Sequence, residues 1–142
     1  MQNTAIYIFT ATILACSPSS KLLDSDCRQV QNGFFLFENE RVKHEVYRKD
    51  SIQIEKGFDK TNSSLFENII QVNWVNDCMY ELTVLESTSP YFKAYIGMTY
   101  SVEILDVTEA GYIYHCDLVG EEYDYDGLYY KVDTLPSFIE SK

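Results

Sequence analysis

Basic residues are the first thing this 142-residue chain has little of. Eleven lysines and arginines stand against 22 acids, a formal charge of −11. A surface of that sign repels phosphate backbones and anionic headgroups, so nucleic acid is excluded as a partner and electrostatic docking on lipid is disfavoured. There are two histidines, and no two of the four cysteines lie within a few residues of each other. That spacing argues against a zinc site. No G-x-S-x-G, H-E-x-x-H or glycine-rich phosphate loop occurs, so the common hydrolase and nucleotide-binding signatures are missing. The apolar run from Ala5 to Cys16 is too short for a membrane helix, which needs roughly 20 apolar residues.

What that run does match is the apolar region of a signal peptide. Ile13-Leu14-Ala15-Cys16 has the form of a bacterial lipobox, in which the cysteine is lipidated after cleavage, although no Lys or Arg precedes the run. Ser17-Pro18-Ser19-Ser20 has the composition of a tether. The expected organisation is a lipoprotein signal peptide over 1–15, a tether over 16–26 lipidated at Cys16, a β domain over 27–136 and a tail over 137–142. Export places the domain in the cell envelope, on the periplasmic or cell-surface side and held to the membrane by lipid. Disulfides persist there. Setting Cys16 aside leaves Cys27, Cys78 and Cys116, which allow three pairings.

The β domain is organised around residues 66–86. From Ile70 to Val84 the even positions carry Ile70, Val72, Trp74, Tyr80, Leu82 and Val84, while the odd positions are mostly polar. Period-2 alternation places the even set on one face of a sheet. Fifteen extended residues would reach about 50 Å, too far for one strand of a small domain, so the chain turns back near Asn76-Asp77. A three-residue loop at 75–77 would pair Trp74 with Cys78 and Val72 with Tyr80, keeping even residues inside. The same logic pairs Arg48 with Ile52 and Val46 with Ile54 across Lys49-Asp50-Ser51. Further strands are expected at Phe34–Phe37, Met98–Ile104, Tyr112–Cys116 and Leu128–Val132, with a single helical turn at Tyr91–Tyr95 and a capping segment over 21–32. Gly120–Gly127 is read as a solvated acidic turn, because its tyrosines spoil the spacing of a calcium loop. The fold class is all-β: one antiparallel eight-stranded meander, closing into a small lipocalin-like barrel so that its apolar face is not left bare.

The inward phase then carries the candidate ligand-binding residues Trp74, Tyr80, Tyr100, Tyr112 and Tyr114, with His44 and Arg48 on the same phase of the second strand. Inside a cavity, His44 and Arg48 would orient a ligand's carboxylate. The cost of burying charge favours a pair at the barrel mouth facing water instead. His115 falls on the opposite phase from Cys116, so the two cannot form a nucleophilic pair. No catalytic residue, metal ligand or cofactor is assigned, and the chain is read as no enzyme. Its functional reading is a lipid-anchored envelope binding module for a small apolar ligand. The alternative is an envelope interaction protein with a solid core.

Three segments together resemble a known family. They are Cys27-Arg28 followed by Gly33-Phe34-Phe35, then Asp50-Ser51-Ile52-Gln53-Ile54-Glu55, then Trp74-Val75-Asn76-Asp77-Cys78-Met79-Tyr80. They match C-x5-G-x-F, D-S-x-Q-x-E and W-x-x-D-C-x-Y, the recurring elements of a family of small Bacteroidota lipoproteins. Members often carry a label after DNA topoisomerase IV. That label does not fit an acidic chain of 16.5 kDa without a nucleotide loop or basic groove. The resemblance implies a lipid anchor and a Cys27–Cys78 disulfide, and it implies no catalytic residue.

Overall fold

In a computed structural model, residues 24–135 apart from Tyr123 are described. The expected signal peptide, Cys16, most of the tether and the tail lie outside the described residues. After a short helix α1 (Asp24–Arg28) come β1 (Gly33–Glu38), β2 (Val42–Lys49), β3 (Ile52–Asp59), β4 (Ser64–Asn76) and β5 (Met79–Ser87). A 3-10 turn (Phe92–Tyr95) precedes β6 (Thr99–Thr108), β7 (Gly111–Leu118) and β8 (Asp124–Val132). Each strand pairs antiparallel with its neighbour in sequence, and β8 pairs back onto β1 to close an eight-stranded barrel. This is the up-and-down architecture that lipocalins also use. Closure leaves no bare edge and turns one apolar face entirely inward.

The central hairpin differs from expectation in register. Trp74 pairs with Tyr80, Val72 with Leu82 and Ile70 with Val84, around a two-residue turn at Asp77-Cys78. A two-residue turn alone would flip one arm to the other face. The register shift between Trp74 and Asn76 absorbs Val75 as an extra residue and restores the phase. Val72, Tyr80, Leu82, Val102, Ile104, Tyr112 and Tyr114 are accordingly buried, as their alternation indicates.

The β2–β3 hairpin corrects the sequence reading more deeply. Its turn is also two residues, Asp50-Ser51, with Asp50 at φ 54°, a left-handed conformation that Asp tolerates. Arg48 therefore pairs with Gln53 and Val46 with Glu55, not with Ile52 and Ile54. No bulge compensates here, so Gln53, Glu55 and Gly57 face the interior while Ile52 is 39% exposed. Strand β8 likewise begins at Asp124, so the second half of the expected acidic turn is strand.

One end of the barrel is sealed by the N-terminal segment. Cys27 and Cys78 form a disulfide, the pairing the resemblance implies, and Cys116 stays a buried thiol. Arg28 pairs with the Asp77 carboxylate, and Lys131 donates to the Gln29 carbonyl at 2.8 Å. The loops at the other end, including the 3-10 turn, surround a mouth.

Candidate binding cavity

Arg48 forms the floor of the interior. It is 0% exposed, which corrects the expectation of a mouth pair facing water. Burying a guanidinium is costly unless its donors are used. Here Nε donates to Gln53 Oε1 at 2.7 Å and Nη1 to the Val30 carbonyl at 3.3 Å. Nη2 donates to the hydroxyls of Tyr80 at 3.2 Å and Tyr112 at 2.8 Å, which bond each other at 3.0 Å. The rings of Tyr80 and Phe35 lie 4.7 and 5.3 Å from the guanidinium carbon. The flipped phase of β3 is what supplies Gln53 to this layer.

Above the floor is a cavity of about 330 Å³. That lies at the small end of the roughly 300–1,000 Å³ typical of small-molecule sites. Ile70, Leu82, Val84 and Val102 form an aliphatic wall, and Tyr114 and Tyr129 stack on the other side with ring centroids 4.9 Å apart. Burial holds the hydroxyls of Tyr80, Tyr114 and Tyr129 well above the ordinary phenol range, so all three are neutral donors at physiological pH. Burial likewise pushes the Cys116 thiol on this wall up to about 12. A thiol that high is a poor nucleophile at neutral pH.

At the mouth, Asn39 accepts the backbone N–H groups of Arg41 and Val42. This Asx turn aims Arg41 over the Tyr91 ring at 3.8 Å, with Asp59 3.6 Å away. Phe92, on the 3-10 turn, packs against Phe66 at 5.5 Å and roofs part of the opening.

A polar strip crosses this apolar chamber on adjacent strands: His44 on β2, Glu55 on β3 and Asn68 on β4. Gly57, facing His44, has no side chain for a physical reason. A Cβ there would collide with His44 Cβ and the Phe66 ring. Gly127 similarly leaves room for the Tyr114 ring. His44 is 6% exposed and stacks on Phe37 at 4.8 Å, and neither ring nitrogen has a hydrogen-bond partner. Burial lowers its pKa below the ordinary 6.5, partly opposed by the Glu55 charge, so the imidazole is neutral.

Of the residues expected at a binding site, His44, Tyr80, Tyr100 and Tyr114 line the cavity. Arg48 and Tyr112 lie in the floor beneath it, and Trp74 is half-buried, 4.5 Å from the Tyr80 ring. Sequence reasoning missed Glu55, Asn68, Tyr125 and Tyr129. The signal for Glu55 was present in Gln53-x-Glu55, two polar residues on one phase, but the apolar Ile52 and Ile54 outcompeted it. On the outer face, His115 lies 2.7 Å from Asp126 and 3.3 Å from Asp117. The hydrogen bond that His115 donates to Asp126 leads the causes that raise its pKa, with Asp117 adding to it. His115, Asp117 and Asp124 are the group among the described residues that could share an ion, and their mutual contacts account for the cluster without one.

The fold and cavity define a closed eight-stranded β-barrel that encloses a chamber of about 330 Å³. Compared with known proteins, the chain matches no family model, no curated protein and no solved structure.

Proposed function

We propose that this protein is a lipid-anchored binding module of the cell envelope, lipocalin-like in type, which holds a small and largely apolar molecule. The carrying observation is the 330 Å³ cavity, walled by aliphatic and aromatic side chains with a few polar groups on one strip. Such a make-up selects a guest by apolar area and orients it by a few hydrogen bonds. A solid-cored interaction protein, the competing reading, would have this space filled. Binding is favoured over catalysis because the thiol on the wall is held protonated and, among the described residues, no activated nucleophile faces the chamber.

The envelope assignment rests on the lipobox at Ile13-Leu14-Ala15-Cys16, on the resemblance to Bacteroidota lipoproteins, and on the Cys27–Cys78 disulfide, which suits an oxidising space. Cys16→Ala should abolish incorporation of radioactive palmitate. Undiminished labelling would remove the anchor from the account. For the cavity, calorimetric titration with short-chain amphiphiles should give saturable one-to-one binding that Leu82→Trp eliminates by filling the chamber. Equal binding by a folded Leu82→Trp variant would place any guest elsewhere.

A further inference from the structure

The chemistry of the guest is written in the polar strip, given that the cavity is a binding site. Glu55 is 6% exposed and accepts two hydrogen bonds, from Gln53 Nε2 at 2.7 Å to Oε1 and from Asn68 Nδ2 at 3.1 Å to Oε2. The Gln53 amide is oriented from its far end. Gln53 Oε1 receives the Arg48 guanidinium, which can only donate, so Gln53 must present its NH2 to Glu55. Asn68 Oδ1 receives the Ser87 hydroxyl at 2.6 Å, and that hydroxyl accepts the backbone N–H of Ser89 at 3.1 Å. In this arrangement Asn68 presents its NH2 to Glu55. Gln53 and Asn68 thus donate to the two oxygens of one buried carboxyl, Gln53 held in that orientation by Arg48. Both oxygens of Glu55 thus act as acceptors toward the protein.

Neither nearby arginine forms an ion pair with Glu55. Arg48 is turned to the floor, and Arg41 stands at the mouth beside Asp59 and over Tyr91, with its Nε unpartnered. Among the described residues no ammonium or guanidinium pairs with the Glu55 carboxyl, which borders the chamber. His44 stands diagonally across the β2–β3 pair from Glu55, where such neighbours are about 7–8 Å apart and their Cβ atoms somewhat closer, a gap one small cation can bridge. Its nitrogens lack partners. The ring of Tyr129 lies 6.5 Å from the imidazole, adding an aromatic face. A metal ion would want a third His, Cys or carboxylate at the same point, and among the described residues the group of that kind sits on the outer surface at His115.

We infer that the cavity takes a primary amine or comparable ammonium on a small apolar body, with Glu55 as its counter-ion and His44 as a second acceptor. This reverses the polarity expected from the sequence, in which His44 and Arg48 would have received a carboxylate.

The test compares three probes of one shape, 4-phenylbutylamine, 4-phenylbutanol and 4-phenylbutyrate, titrated into the purified full chain by calorimetry. The amine should bind at least tenfold more tightly than the alcohol, and the carboxylate most weakly. Glu55→Gln should erase the preference for amine over alcohol while the alcohol still binds. Alcohol or carboxylate binding as tightly as the amine would overturn the charge assignment and leave the binding module standing. Binding of none of the three would overturn both. The ranking on the native chain decides the matter even if Glu55→Gln fails to fold.

Discussion

Arg48→Met is the sharpest perturbation of this barrel, because one side chain holds the whole floor together. Methionine matches the side chain only as far as Nε and removes every donor. Gln53 Oε1 and the Val30 carbonyl lose their guanidinium partner, whereas Tyr80 and Tyr112 keep each other at 3.0 Å. Two buried acceptors stripped of a donor cost about 1–3 kcal/mol each, or about 2–6 kcal/mol together. Relief from burying a charge offsets part of this, and breaking buried ionic networks from one side typically costs about 3–5 kcal/mol. We expect a loss in that range, a large share of the roughly 5–15 kcal/mol that holds a typical domain together. Urea unfolding followed by emission of Trp74, the sole tryptophan, reads it directly. With an m-value of about 2 kcal/mol/M, the midpoint should fall by about 2 M. Gln53→Met in the same background should show a coupling energy above about 1 kcal/mol, since the two residues share one hydrogen bond. A midpoint within roughly 0.5 M of the parent, or above it, would refute the view that the floor is a single satisfied network.

Other outcomes follow from the same geometry. Removing the disulfide with Cys27→Ala/Cys78→Ala, which opens a loop with a sequence separation of 51, should cost about 4 kcal/mol in the chain-entropy model; a cost below about 1 kcal/mol would show that the N-terminal seal contributes little. Gly57→Ala should destabilise by about 1–3 kcal/mol through overpacking against His44 and Phe66, and a neutral result would mean that the strip is looser than drawn. The two histidines should titrate in opposite directions by NMR, His44 below 6.5 and His115 above it. His44, lowered in the fold, withdraws stability as pH falls below 6.5 toward its folded value. His115, raised in the fold, contributes stability below 6.5 that is lost as pH rises through its folded value. Coincident titration of the two would contradict their assigned environments.

Where one face of a strand is apolar and the other polar, the sequence was enough. The alternation through β4 and β5 placed Val72, Tyr80 and Leu82 inside even though the turn was assigned one residue too long. The bulge at Val75 made the two registers equivalent in phase. At β3 the pattern misled, because the barrel's outer face carries Ile52 and Ile54 while the interior carries Gln53 and Glu55. Those polar residues are inside because Arg48 is inside, and Arg48 is inside because its other partners arrive from β5, β7 and the segment after α1. No local window contains that set. Strand β8 was shortened for a similar reason. Asp124 and Asp126 read as turn residues, yet they face outward beside His115. Tyr80, Tyr100, Tyr112 and Tyr114 were legible from phase alone, whereas Tyr125 and Tyr129 were not, and which of them border empty space and which border Arg48 depends on the closed barrel.

The central claim is that the chamber is a binding site. Its most direct test is methyl NMR of the chain with 4-phenylbutylamine at saturation. Ile70, Leu82, Val84 and Val102 line the cavity, whereas Leu65, Val75 and Val119 are exposed. The account predicts intermolecular NOEs from the probe to the first set, saturating at one equivalent, and none to the second. NOEs confined to the exposed methyls, or absent altogether, would contradict it.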